Sequence, residues 1–242
     1  MKEREIYSDI RALSPFIVRL DGRAFHRFSK DQQFERPFDE RFAYAMALVT
    51  LALLQDSGFS PSFGYTFSDE ISLFFSTSPF DGRVEKTDSV LASFAASALT
   101  IQLSLRAPVA FDARIIPVTH EHIIPYLTWR QDEAWRNHIN AWSQALLIEE
   151  GTGPDEAARM LDKVKSGELH ELCFKRGVNL AQTPAWQRRG ILVYRKEVHK
   201  EGYNPVTGEK SDVIRRILTI DRDIPLFAKP EGAELIQKIL SG

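Results

Sequence analysis

The sequence has almost no means of forming covalent or thiolate cross-links. One cysteine, Cys173, occurs among the 242 residues, which excludes an internal disulfide and a metal site built from several thiolates. Because Cys173 lies between Leu172 and Phe174, we expect a small buried side chain there.

Long apolar runs and a secretory leader are also missing. No stretch approaches the roughly 20 consecutive apolar residues that a membrane span needs. The first six residues, Met-Lys-Glu-Arg-Glu-Ile, carry charges of both signs with no apolar segment behind them. We therefore expect a soluble, cytoplasmic protein with no membrane partner.

A large excess of one charge is absent as well, since the formal net charge is −2. Any phosphate-binding surface must then come from local clusters of cations. One such cluster lies near the C-terminus and contains Arg188, Arg189, Arg195, Lys196 and Lys200. It predicts either contacts to phosphates or an ordinary solvated face.

The first half of the chain has the pattern of alternating strands and helices. Strands are predicted over residues 16–21, 63–67, 71–75 and 110–116, with helices after Asp39 and over residues 88–105. This order is the βαββαβ unit of an α+β, ferredoxin-type fold. Many unrelated proteins share that unit, so the fold alone does not give a function.

The second half predicts an extension of helices and a β-hairpin. A long helix over residues 120–150 has one apolar stripe, formed by Trp135, Ile139, Trp142 and Leu146. A second face, formed by Arg130, Ala134, Asn137, His138 and Ala141, is predicted to be polar and open. Two short helices follow, then strands over residues 190–194 and 213–218 around a turn at residues 204–208. We expect a core over residues 1–118 and an extension over residues 119–242, packed together as one compact unit.

Two carboxylates lie where predicted strands end. Asp21 closes the first strand, and Asp69 lies at the tip of the predicted hairpin. Brought together on neighbouring strands, such a pair needs protons or cations, and hard oxygen ligands suit Mg²⁺. Two magnesium ions would favour phosphoryl transfer. Asp-Gly after a strand and Ser-Asp-Glu are also ordinary turn sequences, so this pattern alone stays open.

Several motifs in order resemble those of the tRNA-histidine guanylyltransferase family. The first is Arg19-Leu20-Asp21-Gly22-Arg23-Ala24-Phe25-His26, and the second is Ser68-Asp69-Glu70. Further matching pieces are Phe34-Glu35-Arg36-Pro37, Phe111-Asp112-Ala113-Arg114, Trp129-Arg130-Gln131, His138-Ile139-Asn140 and Arg189-Gly190-Ile191-Leu192-Val193. The resemblance runs from about Phe16 to about Arg195.

The resemblance implies a palm-like catalytic core similar to that of DNA polymerases, working on the 5′ end of a tRNA. In that family ATP or GTP first activates a 5′-monophosphate. The 3′-hydroxyl of an incoming nucleotide then attacks it, and the activating group leaves. Two magnesium ions, nucleoside triphosphates, tRNA and a homotetramer are implied.

The resemblance also implies roles for individual residues. Asp21, Asp69 and Glu70 would be catalytic, and the metal ligands would be Asp21, Asp69 and the carbonyl of Gly22. Nucleotide would be bound by Asp21, Gly22, Arg23, Ala24, Phe25, His26, Ser68, Asp69, Arg83 and Lys86. Contacts to tRNA would come from Arg130, His138, Asn140, Arg188, Arg189 and Arg195.

Three positions depart from the family's pattern. Ala141 and Gln144 stand where eukaryotic guanylyltransferases carry asparagines, and Arg36 stands where the family often has lysine. These departures resemble archaeal and bacterial relatives that repair 5′ ends by copying the opposite strand.

Two alternative functions remain: a palm-type enzyme acting on free nucleotides, such as a nucleotide cyclase, and a non-catalytic RNA-binding module.

Overall fold

A computed structural model describes residues 1, 4–203 and 210–241, with only the backbone for residues 200–203 and 210–213. Its strands are β1 Phe16–Gly22, β2 Phe63–Phe67, β3 Glu70–Phe75, β4 Phe111–Pro117, β5 Ile191–Tyr203 and β6 Lys210–Asp221. Its α-helices are α1 Phe25–Asp31, α2 Glu40–Gln55, α3 Val84–Gln102, α4 His120–Glu149, α5 Pro154–Leu161, α6 Ser166–Lys175, α7 Ala185–Arg189 and α8 Pro230–Ser241.

The strands form one antiparallel sheet in the order β4-β1-β3-β2-β5-β6. The first four strands have the order expected of a βαββαβ unit, which confirms the predicted fold class. Strand β5 belongs to the extension and pairs with β2, so the sheet continues from the core into the extension.

Alternation along β1 assigns its side chains to the two faces of the sheet. Phe16, Val18 and Leu20 lie in the core cluster that includes α2 and α3. Ile17 lies in the opposite cluster, which includes α4 and α8. Arg19 and Asp21 continue the second alternation, so they are on the face that α4 covers.

The long helix α4 also packs on the short helices of the extension. Ile139 is buried together with Leu169, Cys173 and Leu180, and the other three members of the predicted apolar stripe pack against this cluster. The stripe and the buried cysteine are thus confirmed.

Helix α8, whose Ile236 is fully buried, was not among the predicted elements. The predicted turn at residues 204–208 lies outside the described residues. Among the helices that are described, none has the length and apolarity to cross a membrane.

Candidate active site

The acidic pair is assembled where β1 meets the hairpin of β2 and β3. Asp21 is the cross-strand partner of Glu70, and the N–H of Gly22 donates to the carbonyl of Asp69 at 3.2 Å. Ser68 makes the tight turn possible with a left-handed backbone, φ 50°. The expected juxtaposition of Asp21 and Asp69 on neighbouring strands is therefore present.

Neither carboxylate of the pair has a cationic partner among the described residues. Asp69 accepts a hydrogen bond from the hydroxyl of Ser68 at 3.0 Å, and Asp21 forms no ion pair. Burial raises the pKa of Asp69, and the negative charge of Asp21 raises it further. The pair is a site of uncompensated negative charge, which favours a bound cation.

Glu70 differs from its two neighbours because it is fully paired. Its two carboxylate oxygens accept from Nε and Nη2 of Arg130 at 2.8 and 2.7 Å. Arg130 is 6% exposed, so the prediction that it lies on an open helix face is wrong, whereas its contact with tRNA stays a prediction. Arg130 instead holds Glu70, which is the first residue of β3.

The loop after β1 is tightly packed. A Cβ on Gly22 would overlap the ring of the buried Phe25, so only glycine fits there. Phe25 is buried in the core, and the N–H of Arg23 donates to the carbonyl of Ala110. Ala24 is left-handed and precedes α1, whose first amides have no partner within the helix. Of the predicted loop residues, His26 presents an exposed side chain to the neighbouring cavity.

That cavity has a volume of about 400 Å³ and lies beside the hairpin tip. It is lined by His26, Ser29, Phe34, Glu35, Arg36, Pro37, Phe38, Asp39, Phe42, Ala43, Met46, Thr66, Phe67, Ser68, Ala134, Asn137, Asn140, Ala141, Gln144, Ala145, Ile148, Trp186, Gln187 and Ile191. The three positions that depart from the family's pattern, Arg36, Ala141 and Gln144, all contribute to this wall. Its size is that of a small-molecule site.

A second, more open cleft of about 320 Å³ contains the acidic pair itself. It is lined by Arg19, Asp21, Phe67, Ser68, Asp69, Glu70, Trp129, Arg130, Glu133 and Asn137. Phe67, Ser68 and Asn137 line both spaces, so the cavity and the cleft are neighbours. Sequence reasoning had placed Asn137 on an open helix face and had assigned no role to Trp129.

The structure does not bring Arg83 and Lys86 to this site within one chain. Phe16 pairs with Phe75, so the segment after β3 starts at the opposite end of β1 from Asp21, about 17 Å away. The ammonium of Lys86 lies 3.9 Å from the ring centroid of Phe80. A β-bridge joins Arg11 to Arg83 at that far end.

The prediction that His138 lies on an open helix face is also wrong. It is fully buried and stacks on Phe38 and Trp135, and its Nε2 is 3.0 Å from the hydroxyl of Thr183. Burial and the charge of Arg188 lower its pKa to about 4. Asn140 is exposed and contributes to the cavity wall.

The C-terminal arginines are largely engaged with backbone carbonyls. Arg188 donates to Thr183, Arg189 to Ile224, and Arg195 to both Pro61 and Leu54. Their contact with tRNA stays a prediction, and the side chain of Lys200 is outside the described part of the chain.

Asp21, Asp69 and the Gly22 carbonyl are oxygen donors of the kind that Mg²⁺ prefers. Within the described residues, no three His, Cys, Asp or Glu side chains are grouped as a metal site. Magnesium commonly uses one or two protein carboxylates together with phosphate oxygens and water, so a pair of this kind fits that ion.

Family models match both parts of the chain. The model described as tRNAHis guanylyltransferase matches residues 1–119, and the one described as Thg1 C terminal domain matches residues 121–221.

Relatives and solved structures agree with these matches. A probable tRNA(His) guanylyltransferase of Drosophila melanogaster is 32% identical over 206 residues, 81% of this chain and 69% of its own length. A tRNA(His) guanylyltransferase of Saccharomyces cerevisiae is 31% identical over 196 residues, 74% of this chain and 82% of its own. The structure of a bacterial tRNA(His) guanylyltransferase-like protein in complex with ATP has a TM-score of 0.76 at 24% identity, covering 99% of this chain and 96% of that one.

Proposed function

Since the chain belongs to the tRNAHis guanylyltransferase family, we propose that it adds nucleotides to the 5′ end of a tRNA in the 3′–5′ direction. One observation carries this proposal. The uncompensated carboxylates Asp21 and Asp69 lie in a cleft that adjoins a cavity of nucleotide size.

The acidic pair supplies the ligands for the chemistry. Asp21, Asp69 and the carbonyl of Gly22 would hold two magnesium ions. When bound, such ions stabilise the attacking and leaving oxygens of an in-line displacement at phosphorus. Arg130 holds Glu70 through two hydrogen bonds, which fixes the hairpin that carries Asp69. Glu70 therefore acts as a positioning residue.

The reaction has two displacement steps. In the first, an oxygen of the RNA 5′-phosphate attacks the α-phosphorus of ATP or GTP, and pyrophosphate leaves. In the second, the 3′-hydroxyl of the incoming nucleotide attacks the activated 5′-phosphorus, loses its proton, and displaces the nucleoside monophosphate. The cavity would hold a nucleoside triphosphate, the activating or the incoming one, with His26 at its rim and Asp39 and Phe42 in its wall.

We further propose that pairing with the opposite RNA strand selects the added nucleotide. Ala141 and Gln144 line the cavity in place of two asparagines that the guanylyltransferases carry. The shorter Ala141 offers no hydrogen bond to a base, which supports a site without a fixed preference for guanosine. Arg36, also in the wall, keeps a positive charge but forms hydrogen bonds with different geometry from lysine.

The test uses a tRNA that lacks its first nucleotide, labelled at the new 5′ end, with each of the four nucleotides opposite the gap. We expect extension that requires magnesium and changes with the template. Equal addition of guanosine opposite adenosine and opposite cytidine would defeat the template proposal. A cyclic nucleotide as the only product would instead identify a cyclase, and no magnesium-dependent turnover would leave an RNA-binding module.

The remaining implied properties are proposals as well. The homotetramer is tested by sedimentation velocity of the purified chain, and the cytoplasmic location by fractionation of cells. The homotetramer alone follows from the resemblance, and the catalytic proposal depends on neither property.

A further inference from the structure

Trp129 is a large aromatic side chain left exposed beside the catalytic carboxylates. It is 49% exposed, and it lines the same cleft as Asp21 and Asp69. Burial of this exposed indole surface by a bound ligand would be favourable.

Contacts on several sides hold the indole of Trp129 in place. Its ring lies edge-on to that of Tyr126, with centroids 5.8 Å apart. The guanidinium carbons of Arg130 and Arg19 lie 4.3 and 5.6 Å from its ring centroid. Arg130 is itself fixed by Glu70, and Tyr126 by a 2.8 Å hydrogen bond to Ser72. The exposed part of the indole is therefore a preorganised surface.

The charges around Trp129 favour a polyanion. Arg130 is neutralised by its two hydrogen bonds to Glu70, whereas Arg19 lies 3.9 Å from Glu70 and its Nε has no hydrogen-bond partner among the described residues. One wall of the cleft thus combines an aromatic face with a cation that is only loosely paired. Nucleic-acid sites that bind single strands combine the same two features.

The position of the cleft identifies which reactant it receives. The nucleotide-sized cavity is a separate space that shares only Phe67, Ser68 and Asn137 with the cleft. A terminal base of the RNA can stack on an exposed flat ring. The cleft that holds Trp129 also holds the carboxylates, which the RNA 5′-phosphate has to reach.

We propose that Trp129 stacks on the base of the 5′-terminal nucleotide of the RNA substrate and so binds the RNA 5′ end in the cleft that contains Asp21 and Asp69. This inference rests on the proposed function. It assigns a binding residue to the RNA side of the reaction, separate from the nucleotide cavity.

The test compares Trp129→Ala and Trp129→Phe on two RNAs, an intact one and one whose 5′-terminal residue lacks its base. Stacking on one base is worth about 1 to 3 kcal/mol by alanine substitution. For Trp129→Ala we expect KM for intact RNA to rise about tenfold, which corresponds to about 1.4 kcal/mol. The kcat and the KM for ATP should stay within about twofold, and Trp129→Phe should keep most of the RNA affinity.

The abasic RNA separates stacking from support of the fold. With the normal protein it should show the same rise in KM, and Trp129→Ala should add little to that rise because the two changes remove one contact. Phe174→Ala, at a 63% exposed aromatic on α6, is the matched control and should change nothing.

Three outcomes would overturn the proposal. They are an unchanged KM for RNA in Trp129→Ala, fully additive effects of the variant and the abasic RNA, and an equal rise in the KM for ATP. If Trp129→Ala fails to fold, the abasic RNA with the normal protein and Trp129→Phe decides the matter. Absence of any nucleotide addition by the normal protein would reject the proposed function itself and this inference with it.

Discussion

Glu70 and the acidic pair are adjacent on the sheet, yet their surroundings are opposite. Glu70 is buried and receives two short hydrogen bonds from Arg130, whereas Asp21 and Asp69 have no cation among the described side chains. A carboxylate whose charge is matched within the chain stabilises the fold. A pair whose charge is unmatched favours a partner from outside, and this distinction supports the proposal that Asp21 and Asp69 hold the metal while Glu70 positions the hairpin.

The largest expected effect comes from an unmatched carboxylate. Asp69→Asn keeps the size of the side chain but removes a charge from the cation site, so we expect kcat for nucleotide addition to fall by on the order of a thousandfold or more. The folded state should persist, as measured by urea unfolding. Asp112→Asn is the matched control, because Asp112 is exposed, pairs with Arg114 and lies directly across from Asp21.

Full activity of Asp69→Asn in magnesium would contradict the assignment of this residue to the metal site. Loss of folding would show instead that Asp69 is structural. A large loss in Asp112→Asn would extend the acidic site to β4.

Glu70, whose charge is matched by Arg130, should affect the stability of the fold instead of the catalytic rate. Arg130→Met leaves Glu70 buried without its partner, so we expect the free energy of unfolding to fall by about 3 to 5 kcal/mol. Adding Glu70→Gln should recover part of this loss, since it removes the unpaired charge. Urea denaturation of both variants measures the effect. Arg136→Met, which breaks an exposed pair with Glu133, should cost less than about 1 kcal/mol.

Local pattern was sufficient to predict the framework of the site. Strand alternation and the Ser68-Asp69 turn placed two carboxylates on neighbouring strands, and the structure has that pairing. Helical periodicity also gave the apolar stripe of α4. These features depend on residues close together in sequence or on one repeating pattern.

The burial of the other face of α4 could not be predicted in the same way. Arg130 and Glu70 are 60 positions apart, and His138 is covered by Phe38 and by Thr183 from distant segments. Periodicity shows which residues share a face but not what covers it. The place of Arg83 and Lys86 depends on the direction in which β3 runs, which the pattern of the residues around them does not show. The cavity is assembled from segments spread along the chain, so its wall could not be predicted from any one of them.

His138 provides a pH test of this buried face. Its pKa in the folded protein is about 4, below the usual 6.5, so the unfolded chain takes up the proton first as the pH falls. The stability that it contributes is complete above about pH 6.5 and is lost as the pH falls towards 4. A shift of this size corresponds to about 3 kcal/mol.

The free energy of unfolding, measured from pH 7 to 4, should therefore fall less steeply in His138→Phe, which keeps an aromatic ring. Thr183→Val removes the hydrogen bond to Nε2 but keeps the imidazole, so its pH dependence should match that of the normal protein. An unchanged slope in His138→Phe would mean that the pH dependence has another origin.

The smallest expected effect concerns Asp39, a third kind of carboxylate that is matched by an exposed arginine, Arg41, and by backbone amides. It caps α2 by accepting from the amides of Arg41 and Phe42 and also accepts from that of Glu35. Burial alone would raise its pKa, but the hydrogen bonds from the side chain of Arg41 and then those from the backbone amides lower it to about 2. Its stabilising contribution is present above the unfolded value of 3.8 and is lost as the pH falls through about 2.

Asp39→Ala should cost about 1 to 2 kcal/mol at pH 7. Asp39→Asn, which can still cap the helix, should cost less and should flatten the unfolding free energy below pH 4. If both variants lose the same amount at pH 7, the ion pair with Arg41 and not the cap carries the stabilisation.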